Sequence, residues 1–228
     1  MIRLLEIFIS SFALIILTPL LICISVILLF TGEGEIFYKQ IRAGFNNTTF
    51  KIYKFATMVK DSPNIGAGTL TMRNDPRVLP VGVFLRKTKI NELPQLINIL
   101  LGDMSIVGPR PLVPEGEKNY KYEQAQIIRS VRPGLTGIGS LILRDEESYY
   151  AHRSDAKDFY INIISPYKAS LEIWYVQNQS YALNIKIIIC TIITILLPKW
   201  TPRNFFRGLP EMPLVMVKSK LENSDTVF

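Results

Sequence analysis

Residues 7–30 form a run of 24 residues without one charged side chain, and no other feature of the sequence limits the fold so strongly. A helix rises about 1.5 Å per residue, so the run is long enough for the roughly 30 Å hydrocarbon core of a bilayer. It exceeds the apolar core of a secretory signal, and no short-side-chain cleavage site follows it. It therefore reads as an anchor that is kept. Thr18-Pro19 interrupts the run near its middle. Proline removes a backbone donor and crowds the preceding turn, which leaves two geometries: a kinked span, or a broken helix that enters and leaves by one face. Charge does not choose between them, because Arg3 stands on one side and Lys39 and Arg42 on the other.

The rest of the chain has the makings of a globular domain. Apolar residues are 48% of the 228 and charged residues 20%, a balance that excludes global disorder. The net charge is +7, and since residues 1–35 carry −2, the remainder carries +9. Such a surplus suits phosphate groups, an acidic membrane surface or nucleic acid. Nucleic acid has only the charge in its favour: no groove-reading motif is present, and the anchor argues against it. Cys23 and Cys190 both lie in apolar runs and read as buried small hydrophobes in a reducing compartment. The one histidine, His152, rules out a multi-histidine metal site and reads as a surface helix residue.

Residues 36–58 read as a hairpin, with turn chemistry at 44–47 and Lys39, Arg42, Lys51 and Lys54 unaccompanied by an acid. Residues 61–80 read as loop. Leu93, Leu96, Ile97 and Leu100 keep the spacing of one apolar helix face, with Asn91 as N-cap, Pro94 in the first turn and Gly102 as the stop. A short strand is expected at 105–107, a mixed polar helix at 114–130, a turn at 132–134, helices at 145–164 and 166–178, and a core or interfacial helix at 185–197. Three regions follow: a membrane element at 1–32, a catalytic domain at 33–198, and a loose tail at 199–228. The fold class is α/β and rich in helix: a small sheet wrapped by helices that lie on the bilayer surface.

The residues suited to chemistry concentrate in two stretches. Arg86 and Lys87 precede a helix start, where free backbone donors attract anions, and Glu92 in the first turn offers an oxygen ligand for a divalent cation. Arg110 stands between Pro109 and Pro111, so its guanidinium sits on a stiff backbone and is suited to a phosphate.

Together with their surroundings these stretches carry a resemblance. The Thr18-Pro19 break, YKQIRAG at 38–44, KIYKFATM at 51–58, NDPRVLPVG at 74–82, FLRKTKINELPQL at 84–96, GDMSIVGPRPL at 102–112 and RPGLTGIGS at 132–140 resemble the bacterial sugar transferases. These are the monotopic phosphoglycosyltransferases that load undecaprenyl phosphate. The resemblance implies a re-entrant first helix broken at Thr18-Pro19, with both ends cytoplasmic at the bacterial inner membrane. It implies a UDP-sugar donor, a polyprenyl-phosphate acceptor and Mg2+, with Lys54, Arg86 and Arg110 on phosphate and Glu92 assisting the metal. The product would prime a surface glycan.

Two positions depart from the family pattern. Asn91 stands where the family has a nucleophilic aspartate, and a neutral amide is a far poorer nucleophile. Ala56 replaces a cation. Chemistry then has three routes: attack by Glu92, a carboxylate brought in from the acidic cluster at Asp145, or direct attack by the lipid phosphate. The alternative is an inactive membrane module that binds the lipid carrier or partner transferases.

Overall fold

The computed structural model describes residues 2–66, 68, 71–72, 74–150, 153–198 and 200–217, and it is helix-rich with two small sheets. His152 lies outside the described residues. The chain divides into two compact units, residues 1–42 with 49–106, and residues 43–48 with 107–228.

In the first unit the uncharged run becomes helix α1 (Ile2–Leu29), helical through Pro19. Thr18 Oγ1 donates back to the Leu14 carbonyl at 2.7 Å, a bond that favours bending next to the proline. Phe8, Phe12, Ile15 and Ile16 along its middle are exposed. Its ends are fastened. Near the start, the Arg3 guanidinium donates to the carbonyls of Ile99, Leu100 and Met104, and the Glu6 carboxylate accepts from Ser105 Oγ and the Ile106 amide. Near the finish, Ile24 and Leu28 pack into a core with Phe55 and Leu85. Cys23 is exposed on the outer face of α1 where burial was expected, because no protein covers that face; Cys190 is buried.

The expected hairpin is strands β1 (Phe37–Ala43) and β2 (Thr49–Phe55), with Phe50 and Ile52 turned into the core. Helix α2 (Pro80–Lys87) follows where the sequence reads as loop up to residue 80, and Arg86 and Lys87, which precede a further helix as expected, also form the last turn of α2. Helix α3 (Gln95–Leu101) is shorter than expected and begins after Pro94, so Asn91 is not its N-cap; Asn91 lies in the single turn Ile90–Glu92. The anion-binding helix start expected at Asn91 is therefore absent.

Asn98 binds α3 to the sheet. Its Oδ1 accepts from the Tyr53 amide at 3.0 Å, and its Nδ2 donates to the Lys51 carbonyl at 2.8 Å and to Asp103 at 3.2 Å. This one side chain satisfies the edge of β2 as a third strand would.

The stretch before α2 is organised by a buried arginine. Arg77 Nη1 donates to the carbonyls of Ser62, Ile65 and Gly68, while Nε and Nη2 grip the Asp75 carboxylate.

The second unit opens at the end of β3 (Ser105–Val107), which pairs with β4 (Gly134–Thr136). The helix expected over 114–130 is two, α4 (Pro114–Glu117) and α5 (Tyr122–Arg129). After α6 (Ile138–Ile142), a short turn at 146–149 and α7 (Ala156–Phe159) replace most of the helix expected over 145–164. A wide turn, Tyr160–Ile164, carries α7 into α8 (Ser165–Asn178). Helix α9 (Tyr181–Leu196) starts at Ser180, whose hydroxyl accepts from the Leu183 amide at 3.2 Å. It buries Ile187, Cys190 and Thr194 and exposes Tyr181, Ile185, Ile189, Ile192 and Leu196 along one stripe. Residues 202–216 are not loose: Pro202, Phe206 and Met216 are buried, and Arg203 Nη1 meets the Tyr167 hydroxyl at 2.5 Å. The rest of the expected tail, 218–228, lies outside the described residues.

Candidate active site

The first unit brings three of the expected site residues together. Lys54 shares the face of β2 that carries Phe50 and Ile52, so alternation draws it inward. It meets Glu92 there, Nζ to Oε1 at 3.0 Å, with only 14% and 12% of the two side chains exposed. Glu92 reaches this place because Lys89 takes a left-handed conformation, φ 61°, which turns the chain sharply after α2. A side chain there costs about 1–2 kcal/mol, so the turn is held by its surroundings.

Asn91, beside Glu92, is buried with its Oδ1 unpartnered, and one turn on the Gln95 Nε2 is also buried without a partner. Arg86 is half-buried and Lys87 exposed at the end of α2, which packs on the Ile90–Glu92 turn.

Among the described residues no group of three or more His, Cys, Asp or Glu side chains is placed to hold a metal. Magnesium that travels with a diphosphate needs only one or two protein carboxylates, since phosphate oxygens and water complete its shell. Glu92 is the carboxylate placed for that lesser role, in competition with the Lys54 ammonium 3.0 Å away.

The second unit holds Arg110. Its turn is fixed by three backbone bonds: Gly108 N–H to the Thr136 carbonyl at 2.9 Å, Gly134 N–H to the Pro109 carbonyl at 2.9 Å, and Arg110 N–H to Glu172 Oε1 at 3.2 Å. The glycines of RPGLTGIGS are required by this approach. A Cβ on Gly134 would lie 2.1 Å from the Gly108 nitrogen, and one on Gly137 would lie 2.0 Å from the Gly108 carbonyl oxygen. Arg110 and Glu172 line a cleft of about 350 Å³, measured with its open mouth, together with Gly44, Glu117, Tyr120 and Arg129.

Asp145 is exposed, while its neighbours are engaged: Glu146 pairs with Lys168 at 2.7 Å, and the Arg144 guanidinium donates to the Thr194 carbonyl. Part of the acidic cluster thus serves the fold.

Glu172 is the residue that sequence reasoning missed. It is 2% exposed on α8. Burial pushes its carboxyl up to about 7, against the lowering pull of the Arg110 amide, Lys168, the Arg110 charge and the Gly139 amide. A signal was present: Lys168 and Glu172 are spaced as an exposed helix pair, yet they share a face with Leu171 and Tyr175.

Comparison with known proteins gives consistent matches. The bacterial sugar transferase family model matches residues 1–198. The exopolysaccharide production protein ExoY of Rhizobium meliloti (strain 1021) is 33% identical over 204 residues, covering 83% of this chain and 83% of that one. The undecaprenyl-phosphate glucose phosphotransferase of Komagataeibacter xylinus is 33% identical over 195 residues, 80% of this chain and 33% of its own length. The UDP-glucose:undecaprenyl-phosphate glucose-1-phosphate transferase of Escherichia coli (strain K12) is 38% identical over 134 residues, 58% of this chain and 29% of its own length. The matched region thus spans about a third of each of these last two proteins.

Proposed function

This chain belongs to the bacterial sugar transferase family, and on that footing we propose that it moves a sugar 1-phosphate from a UDP-sugar to polyprenyl phosphate. The products are polyprenyl-diphospho-sugar and UMP, and the reaction primes a surface glycan. UDP-glucose is the first donor to test, because two relatives carry glucose in their names.

One observation carries the reading: both ends of α1 are fastened to the unit that holds the Lys54–Glu92 pair. A helix crossing a bilayer would have its ends on opposite sides of about 30 Å of hydrocarbon. A unit that bonds both ends would itself have to reach through that layer, carrying charged and hydrogen-bonding surface into hydrocarbon, which is costly. We therefore assign the exposed apolar middle of α1 to the membrane, with anchor and site on one face. The apolar stripe of α9 supports contact with the bilayer surface. We assign the cytoplasmic face of the inner membrane, where nucleotide-sugars are found.

The chemistry we favour is a single displacement. An oxygen of the lipid phosphate attacks the phosphorus that bears the sugar, the anhydride bond to the UMP phosphate breaks, and UMP leaves with that electron pair. Asn91 offers no carboxylate, and Glu92 is engaged by Lys54. Lys54 and Arg86 of the first unit are assigned to phosphate charge, as is Arg110 of the second by its resemblance to the family, and such transfers run largely on positioning and electrostatics. Magnesium, held by Glu92 with the diphosphate, would neutralise further charge.

The test is UMP release by the full chain in nanodiscs with magnesium, a short polyprenyl phosphate and a panel of UDP-sugars. Turnover without a labelled protein supports the displacement. Silence across UDP-glucose, UDP-galactose and their N-acetyl forms would favour a non-catalytic module that binds the lipid carrier or partner transferases. Topology has its own test: in a chain lacking Cys23 and Cys190, cysteines placed at Leu4 and Lys39 should react with an impermeant maleimide from the same side of sealed vesicles.

A further inference from the structure

Glu172 has no part in the displacement, yet it is the most unusual charged group in the second unit. It is 2% exposed, and its Oε2 has no hydrogen-bond partner. Its Oε1 accepts from the Arg110 amide at 3.2 Å, and a Cβ on Gly139 would fall 2.3 Å from the same oxygen. One carboxylate oxygen therefore holds the Arg110 turn against the start of α6. The other faces no donor, an expensive state for a full negative charge.

We propose that Glu172 is a positioning residue for Arg110, and that binding of a phosphate-like anion at this turn draws a proton from solvent onto Glu172. The inference rests on the reading of Arg110 as a phosphate-binding residue. The groups that face Glu172 are Arg110 from the turn, Lys168 from α8, with Glu146 bonded to it, and Tyr120 from the segment after α4. Arg129 and Glu117 line the same cleft and are bonded to each other.

The physical reason is linkage. Without ligand, the positive charges of Arg110 and Lys168 help to keep Glu172 ionised against its burial, and its carboxyl stands near neutrality. An anion at Arg110 cancels part of that support and adds a repulsive charge, so the acid form gains. By reciprocity the anion binds more tightly as pH falls through the neutral range. The Oε1 contacts to backbone amides persist in either form, so the turn keeps its place while the charge behind it changes.

The test is calorimetry of the full chain in nanodiscs near pH 7, in buffers of contrasting ionisation heat, which yields protons taken up per ligand. The probes are UDP-glucose and inorganic sulfate, neither of which titrates in this range. We expect uptake of a substantial fraction of a proton with the native chain and none with Glu172→Gln, which retains an acceptor for the Arg110 amide. Glu172→Asp should restore uptake with weaker binding, a rescue that a merely structural role would not show. An infrared band of a protonated carboxyl, growing as pH falls through the neutral range and missing in Glu172→Gln, gives a second readout that needs no ligand. Uptake unchanged in Glu172→Gln, binding of neither probe, or a Glu172 fully ionised from pH 6 to 8 would each overturn the proposal. Coupled binding of sulfate with no binding or turnover of nucleotide-sugar would instead leave it standing and remove the proposed reaction.

Discussion

Lys54 and Glu92 meet at 3.0 Å with both side chains almost withdrawn from water. Each relieves the charge of the other, so removing one leaves its partner's charge less well matched. Lys54→Met should destabilise the chain by roughly 2–4 kcal/mol, at or below the usual range for breaking a buried pair because some solvent remains. Lys54→Met with Glu92→Gln should recover part of that loss. Urea unfolding of the four-member set measures the coupling, and a purely additive double mutant would refute it. Turnover should fall in both single variants.

Asn91 presents a buried amide oxygen with no partner, at the position where the resemblance to the family implies an aspartate. Asn91→Asp exchanges one terminal NH2 for oxygen and supplies a nucleophile without enlarging the side chain. The variant should form a phospho-sugar adduct after brief exposure to labelled nucleotide-sugar, visible on a denaturing gel, and the native chain should not. An adduct of equal yield in the native chain would point to Glu92 or Asp145 instead.

Asn98 is fully buried and supplies bonds to Tyr53, Lys51 and Asp103. Asn98→Ala leaves a strand amide and a strand carbonyl unanswered. The expected loss is about 2–4 kcal/mol, read from the denaturation midpoint. Asn98→Asp keeps the acceptor and loses the donor, so its loss should be of the same order.

Glu172 gives a pH signature in stability. Its folded pKa, about 7, lies above its unfolded value, so the folded state holds the proton longer. Stability should therefore decline as pH rises from about 4.5 to 7 and stay reduced above that, by on the order of 2–4 kcal/mol in total. Glu172→Gln should remove this slope. Melting curves of the two chains at pH 5 and pH 8 decide it: the variant should gain on the native protein at pH 8.

The parts of the fold that repeat a local rule were legible in the residues. The uncharged run, the alternation in β2 and the apolar face of α3 follow from period and composition. Lys54 and Glu92 were found through motifs, and their contact follows from the inward face of β2 and the turn at Lys89. What failed were boundaries. Helix 114–130 breaks in two, and residues 202–216 pack where composition suggested a tail. Asn91, a good N-cap by type, is buried instead. Such outcomes depend on partners distant in sequence: Asn98 finds Tyr53, and Arg203 finds Tyr167. No local pattern specifies those meetings.

Arg77 gathers the carbonyls of Ser62, Ile65 and Gly68 and is itself held by Asp75, whose carboxyl the guanidinium lowers to about 2. Every amino acid brings a carbonyl, so the spokes of this wheel are chemically interchangeable while its hub is not. Exposed positions such as Asn64 and Ile65 should accept wide substitution, whereas Arg77→Lys, which cannot reach five acceptors, should loosen the whole segment to proteolysis. The chain thereby gains a stretch ahead of α2 whose lettering can drift while its outline stays put.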